Sequence, residues 1–427
     1  MLNLLNSEVG IALFGNTYDI SLNWIGELIR WLITSVGSVG IGIIIFSIIL
    51  KVIVLPFDVY QRISMRKQNL KMKENQARME KLQKQYANDK DKYNQKVMEM
   101  YKESGISIFS SCLPLILSLI IFIVAIGAFN AYSQYANVDN YNQMVKAYNA
   151  KVESLCIDFG GNYNEEQNVY YIEEDILLEK AEIATFVKTY KDANKDATTE
   201  AAIKAYFRNE GQTAVVNAYE TSVKNNTKFL WIKNIWATDA SYKHPVLQFS
   251  EFEAEVKQQN FQVGDKKVNL TEMEEYTQTK VYKEDAYNDI TAKLTTQKSQ
   301  ANGYYILILL SIGTILLQQW VMMAGQKEQQ KYSSVDGQGA SQQKMTMVIM
   351  TGMFAIFAFM YSSAFSIYMI MSNVLSLIST IVINKIVDTR ERKKEEKALV
   401  EKYNKRFAGR VPTATSVKKG ENDKKRK

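Results

Sequence analysis

The sequence is poor in the residues that most catalytic and metal sites require. Its 427 residues include a single histidine, His244, and two cysteines, Cys112 and Cys156. One histidine argues against zinc sites and histidine-dependent hydrolases, and there is no glycine-rich phosphate-binding loop. The cysteines lie in an apolar run and in a polar block, so we expect two free thiols. We therefore expect no enzyme, no cofactor and no bound metal.

Charge is missing from five long apolar stretches, each close to the ~20 residues that a membrane-spanning helix needs. The sequence thus predicts an all-α polytopic membrane protein with a five-helix transmembrane bundle. Only Ser362 and Ser363 separate the last two stretches, which predicts a tight turn there. The five candidate spans are residues 40–57, 106–132, 304–324, 345–361 and 364–387.

The distribution of basic residues predicts the orientation. Residues 61–106 contain 12 Lys/Arg against 6 Asp/Glu, and residues 385–427 contain 16 against 7. Residues 133–302 have the opposite balance, 19 against 26. Because basic segments next to spans stay in the cytoplasm, we expect the N-terminus outside and the C-terminus inside a plasma membrane.

Lys51 is the one formal charge within the first apolar run, which extends from Gly40 to Pro56. An ionisable residue inside a span is a functional-site hypothesis by default, because a charge there costs roughly 2.5–3.5 kcal/mol on insertion scales. No carboxylate lies between Gly40 and Pro56, and Asp58, seven residues after Lys51, could reach it only with a favourable rotamer. The alternative is that Lys51 extends its ammonium to the membrane surface without any further role.

Two helical patterns flank this first span. From Ser21, apolar residues recur at helical spacing opposite a polar stripe, and with Trp24 and Trp31 they predict an amphipathic helix on the outer membrane surface. Residues 61–105 are basic with a thin apolar stripe that reverses at Asn88-Asp89, which predicts an antiparallel cytoplasmic hairpin.

The order of these parts resembles the YidC/Oxa/Alb family of membrane protein insertases. Lys51 followed by Pro56 is similar to the family's charged residue and proline, although arginine is usual at that place. The sequence Cys112-Leu-Pro-Leu115 resembles the start of its second span, with Ile120 where the family has a second proline. Further similarity lies in Phe229-Leu-Trp-Ile232 with Asp239, in Tyr368 with Ser372-Asn373, and in Val382-Ile-Asn384-Lys385. The resemblance covers residues 20–134, 227–245 and 303–390.

This resemblance implies an insertase and chaperone with a hydrophilic groove that opens to the cytoplasm and to lipid. Nascent membrane proteins are then the partners, with the ribosome, the Sec translocon and anionic lipids as further candidates and no role for DNA. Pro56 and Pro114 are expected to be structural. The residues expected to line the groove are Lys51, Ser118, Gln318, Gln319, Tyr368, Ser372 and Asn373. Gln318 and Gln319 are equally well placed to face lipid headgroups.

The expected organisation has an acidic, mostly helical extracellular insert between the second and third spans. Two alternatives stay open: a small-solute transporter, against which the lack of internal repeats argues, and a receptor, against which the lack of a cytoplasmic output domain argues. The predicted segments are an outer N-terminal segment (1–38), span 1 (39–60), the hairpin (61–105), span 2 (106–132), the insert (133–302), span 3 (303–324), a cytoplasmic loop (325–344), span 4 (345–361), span 5 (364–387) and a basic tail (388–427).

Overall fold

A computed structural model describes residues 7–14, 20–105, 108–263, 265–325 and 338–407; within 108–119 it describes the backbone alone. The chain is mostly helical. The long helices are α1 (Trp24–Val36), α2 (Val39–Gln85), α3 (Lys90–Glu103), α4 (Ile108–Asp158), α6 (Ala181–Ala193), α7 (Thr199–Ala218), α13 (Ile306–Gly325), α14 (Gln338–Met360) and α15 (Ser363–Phe407).

The shorter elements all lie within or beside the polar part of the chain. The short helices are α5 (Glu174–Leu178), α8 (Lys224–Thr227), α9 (Phe249–Val256), α10 (Leu270–Thr277), α11 (Glu284–Ile290) and α12 (Thr295–Ser299), and a π-helical turn (Tyr219–Val223) precedes α8. The strands are β1 (Glu8–Ala12), β2 (Asn162–Asn164), β3 (Val169–Glu173), β4 (Asn260–Val263) and β5 (Lys266–Asn269).

The apolar helices form a bundle with its own core. Among the described residues, three helical segments are long and apolar enough to cross a membrane, namely Val39–Gln85, Ile306–Ala324 and Ser363–Val387, and Val348–Met360 is a shorter apolar helix. Phe129 of α4 is fully buried and packs its ring 5.2 Å from that of Tyr368 on α15. Many large apolar side chains remain exposed on the outside of these helices, as expected for surfaces that face lipid.

Helix α4 joins this bundle to a second core in the polar lobe, which comprises residues 7–14, 133–228 and 246–300. It continues without a break for 51 residues, beyond the end of the predicted second span at residue 132. Its second half places Val138, Val145 and Val152 in a core shared with α6, α7 and α9. The spacing of seven residues keeps these side chains on one helical face.

The N-terminal strand belongs to the polar lobe, although about 150 residues separate it from its partner. Strand β1 pairs antiparallel with β3, with Glu8 opposite Glu173 and Ala12 opposite Val169, and β2 pairs with the other edge of β3. Residues before α1 therefore do more than precede an amphipathic helix, since they complete a three-stranded sheet.

Helix α1 begins where Asn23 accepts a hydrogen bond from the backbone N–H of Gly26 at 2.7 Å, which caps its first turn. Ile29 and Leu32 are buried against the bundle, whereas Trp24 and Trp31 remain exposed. Helix α1 thus presents its apolar side to α2 and its tryptophans outward, an arrangement typical of helices at a membrane surface.

Helix α2 extends well beyond the predicted first span and turns into α3. Met79 of α2 and Met100 of α3 are both buried between the two helices, and Arg78 pairs with Glu103 at 3.0 Å. Lys71 adds a hydrogen bond of 2.7 Å to the carbonyl of Gly105. These contacts hold the two helices side by side.

Candidate functional site

Lys51 lies on the side of α2 that faces α15. Its ammonium donates to the Asp58 Oδ2 at 2.6 Å and to the Ser376 hydroxyl at 2.9 Å. The side chains of Lys51 and Asp58 are 14% and 24% exposed, so the ion pair is largely shielded. Two positions about two turns apart on α2 thus supply both charges, and α15 supplies a neutral acceptor.

The side chains therefore adopt the favourable rotamer that a contact between Lys51 and Asp58 requires. Residues seven positions apart lie on the same face of a helix, about 10 Å apart along its axis. The four-carbon stem of lysine bridges much of this distance toward Asp58. The sequence showed both residues, but their pairing depends on α15 packing beside them and holding the ammonium on that face.

A second polar contact lies one turn further along the same interface. Arg62 of α2 approaches the Thr380 hydroxyl of α15 at 3.4 Å. Together with Lys51, Asp58 and Ser376, these two residues form what we call the α2–α15 polar cluster. It is a row of polar groups between two helices whose neighbouring faces are apolar and exposed, as at Val52, which is 62% exposed.

Two of the other predicted groove residues take part in polar contacts between spans. Asn373 donates from Nδ2 to the Thr314 hydroxyl of α13 at 3.3 Å. Gln319 accepts a hydrogen bond from the Thr351 hydroxyl of α14 at 2.9 Å. The described bundle thus has polar contacts linking α13 to α14 and α15 as well as α15 to α2.

The positions of the remaining predicted site residues say less about their roles. Tyr368 is buried among aromatic rings of the bundle core, and Gln318 and Ser372 are half-buried. Pro56 lies within α2, which continues through it. The side chains of Ser118 and Pro114 lie outside the described residues.

The end of the bundle next to the polar lobe is covered by residues 229–245, here called the connecting loop. Asp239 in this loop is fully buried, and its carboxylate accepts hydrogen bonds from the backbone N–H groups of Tyr304 at 2.7 Å and Leu307 at 2.6 Å. Both donors lie at the start of α13, where the helix dipole favours a negative charge. A Cβ on Gly303 would lie 1.9 Å from this carboxylate, so only glycine fits there.

A network of buried amides holds the connecting loop in place. Asn302 accepts from the backbone N–H of Asn234 at 2.7 Å and donates to the carbonyl of Thr238 at 3.0 Å. Asn234 donates in turn to the side chain of Asn137 on α4 at 3.0 Å. Sequence reasoning did not identify these asparagines, and only the position of Asn302 just before an apolar run hinted at a structural role.

The same loop also contacts the turn between the last two spans. The backbone N–H and the hydroxyl of Ser363 both donate to the carbonyl of Ala237, at 2.9 and 2.7 Å. Ser133 and Ser362 share a hydrogen bond of 2.8 Å between their buried hydroxyls. The connecting loop thus ties α4, α13 and α15 together at one end of the bundle.

The arrangement contains nothing that resembles a metal centre. Within the described ranges, no three His, Cys, Asp or Glu residues lie together in a way that would hold a metal ion. Cys156 is a buried free thiol, and burial raises its pKa to about 12, which keeps it protonated and unreactive. His244 contacts the carbonyl of Gln300 at 3.0 Å, far in sequence from the α2–α15 polar cluster.

An apolar helical bundle with an ion pair between two of its helices and a polar lobe at one end defines a helical membrane protein. The model of the family described as 60Kd inner membrane protein matches residues 31–150 and 214–391. The chain belongs to this family, which confirms the resemblance to the YidC/Oxa/Alb proteins. The match includes residues 246–300, which the sequence analysis had left outside the resemblance.

Curated relatives carry the name membrane protein insertase YidC. The chain is similar to that of Caldanaerobacter subterraneus, with 38% identity over 98 residues that cover 23% of this chain and 46% of the relative. The protein from Fusobacterium nucleatum is 36% identical over 110 residues, covering 26% and 52%, and that from Clostridium tetani is 40% identical over 93 residues, covering 22% and 40%. The chain thus spans about half the length of the curated relatives it matches.

Proposed function

We propose that this protein inserts nascent membrane proteins into the lipid bilayer and assists their folding, without covalent chemistry. The observation that carries the proposal is the α2–α15 polar cluster, which places a hydrogen-bonded Lys51–Asp58 pair between helices whose outer faces are apolar. Family membership and the names of the relatives support the same activity.

The proposed architecture has five spans, at 39–60, 106–132, 303–324, 345–361 and 364–387. The N-terminus lies outside, and the hairpin of residues 61–105 and the tail lie inside a bacterial plasma membrane. In this orientation the connecting loop covers the outer end of the bundle, and its buried hydrogen bonds oppose opening on that side. The polar cluster is then reached from the cytoplasm and from lipid.

The proposed groove lowers the cost of moving a polar segment past hydrocarbon. Each polar group that loses water without a replacement partner costs roughly 2–7 kcal/mol, and Lys51, Ser376, Gln319 and Asn373 are replacement partners inside the bundle. An incoming segment would exchange hydrogen bonds with these side chains. Its apolar helix would meanwhile slide past α13 and α15 into lipid, with a gain of about 25 cal/mol per Å² buried.

The Lys51–Asp58 ion pair would determine how charged groups of a substrate bind in this groove. With Asp58 bound, the Lys51 ammonium is paired in the resting bundle. An acidic group on a substrate would compete with Asp58 for the ammonium, whereas a basic group would compete for the carboxylate. The nascent chain is the proposed substrate, and the ribosome, the Sec translocon and anionic lipid are proposed as partners of the basic hairpin and tail.

Reconstitution tests the proposal directly. Purified protein in lipid vesicles should insert a small one- or two-span membrane protein without ATP and without a Sec channel. Protein-free vesicles and vesicles with heat-denatured protein are the controls for spontaneous insertion. Failure to insert any such substrate, together with flux of small solutes through the same vesicles, would contradict insertion and favour a transporter.

A further inference from the structure

A cavity of about 450 Å³ opens beside the connecting loop and is separate from the α2–α15 polar cluster. Its volume falls in the ~300–1,000 Å³ range of small-molecule sites. The residues that line it come from the π-helical turn, α8, the connecting loop and α12, and they are Tyr219, Glu220, Lys224, Lys228, Leu230, Trp231, Lys233, Thr296, Gln297 and Gln300.

The charged groups of this cavity are mainly positive. Lys224 is paired with Glu220, which is the one acidic residue of the lining. In the part of the chain that the structure describes, the ammonium groups of Lys228 and Lys233 have no acidic partner. Two cations therefore face the same cavity without compensation from the protein.

Trp231 forms part of the cavity wall. Its indole nitrogen has no accessible surface, so a ligand in the cavity does not reach that donor, and the ring contributes an apolar surface instead. An anionic oxygen in the cavity would neutralise the two lysines.

The cavity lies near the ends of two apolar helices. The Phe229 ring packs so closely on α2 that a Cβ on Gly40 would lie 2.1 Å from it, and the backbone N–H of Lys233 donates to Asn302, just before α13. The cavity therefore lies at the level where two apolar helices begin. Leu230, 61% exposed, extends an apolar side chain from the same rim.

We propose that this basic cavity binds the phosphodiester headgroup of an acidic phospholipid from the adjacent leaflet. Lys228 and Lys233 hold the phosphate oxygens, and Leu230 lies along the upper acyl chain. A soluble phosphate ester would satisfy the lysines but would leave Leu230 exposed. The proposal concerns lipid binding and does not depend on the proposed insertase activity.

Native mass spectrometry of the purified full chain tests this with phosphatidylglycerol and phosphatidylcholine titrated in parallel. We expect one phosphatidylglycerol to bind more tightly than phosphatidylcholine. The double substitution Lys228→Gln/Lys233→Gln should weaken that binding about 25-fold, since each lysine near an anionic surface contributes about fivefold.

The matched control is Lys188→Gln/Lys195→Gln, which removes the same charge from exposed positions of the polar lobe. It should bind phosphatidylglycerol as the unsubstituted chain does. Equal affinity of the control and of Lys228→Gln/Lys233→Gln would overturn the proposed site. Binding of glycerol 3-phosphate, or of an acidic peptide, as tight as that of phosphatidylglycerol would overturn the assignment to a lipid.

Discussion

The Lys51 ammonium lies 2.6 Å from the Asp58 carboxylate on the same helix, and the Ser376 hydroxyl of α15 completes its coordination. Asp58 of α2 therefore compensates the charge of Lys51, and Ser376 of α15 helps to orient the ammonium. A buried pair of this kind adds little net stability compared with apolar residues, but removing one partner leaves an uncompensated charge.

Lys51→Met should consequently destabilise the bundle, because Asp58 keeps a negative charge among apolar helices. The double substitution Lys51→Met/Asp58→Leu should recover most of the lost stability, whereas Lys51→Arg should retain both stability and activity. Thermal unfolding of the purified proteins in detergent measures the first effect. Insertion assays in vesicles at matched protein levels measure the second.

Two substrates that differ only in the acidic residues of their translocated segment separate the electrostatic role from the structural one. If Lys51 acts by attraction, the stable Lys51→Met/Asp58→Leu variant inserts the acidic substrate less well than the neutral one. Equal insertion of both substrates by this variant would leave the pair with a purely structural role.

The Asp239 carboxylate is expected to matter for the assembly of α13. Asp239→Ala leaves the buried N–H group of Leu307 without its acceptor, at a cost of about 1–3 kcal/mol, and removes the partly buried bond from Tyr304. We expect a fall in the apparent Tm of about 1–3 °C in detergent. The matched control is Asp196→Ala, an exposed residue of the polar lobe, for which an equally large fall would refute the capping role.

Glu255 makes the polar lobe sensitive to pH. Burial raises the pKa of this carboxyl to about 8, and its Oε2 has no hydrogen-bond partner in the described structure, whereas Asn137 donates to Oε1 at 3.2 Å. The native state therefore holds a proton that the unfolded chain releases near pH 4.3. The contribution of Glu255 to the free energy of unfolding should be largest below about pH 4.3. It should fall as the pH rises toward 8.

Glu255→Gln removes this titration while keeping an acceptor for Asn137. We expect the apparent Tm to fall less between pH 5 and pH 8 than in the unsubstituted chain. Glu253→Gln, on the same short helix and paired with Lys257 at 3.2 Å, serves as the control and should keep the original slope. An unchanged slope in Glu255→Gln would show that this carboxyl is charged in the native state.

The orientation can be tested with single cysteines in a Cys112→Ser background, since Cys156 is buried and protonated. Asp196→Cys in the polar lobe should react with an impermeant thiol reagent applied to intact cells. Asp91→Cys at the start of α3 should react only after the cells are opened. Labelling of Asp91→Cys in intact cells would contradict both the predicted topology and the cytoplasmic groove.

Local patterns in the sequence were sufficient to predict several helices. The seven-residue spacing of Val138, Val145 and Val152 fits the long helix α4. The polar residues between these valines are the reason why the predicted second span ended at residue 132. Within the insert that was expected to be mostly helical, α7 extends from Thr199 to Ala218, and Thr198 caps it by accepting a hydrogen bond from the N–H of Ala201.

Contacts between distant segments could not be predicted in this way. Ser376 lies 325 residues from Lys51, and no local property of either residue indicates that they meet. The pairing of Glu8 with Glu173 and the hydrogen bond between Asn302 and Asn234 also join residues that are far apart in the sequence. Such pairs follow from how complete helices pack, which a single sequence without related sequences does not reveal.

Helix α4 gives the molecule a mechanical property that neither of its two cores has alone. At 1.5 Å per residue its 51 residues extend about 76 Å, of which roughly 40 Å lie in the polar lobe. Because the helix is unbroken, a change of about 10° in its tilt within the bundle would move its far end by about 7 Å. The position of the far end of α4 in the polar lobe is therefore tied to the tilt of the same helix in the bundle.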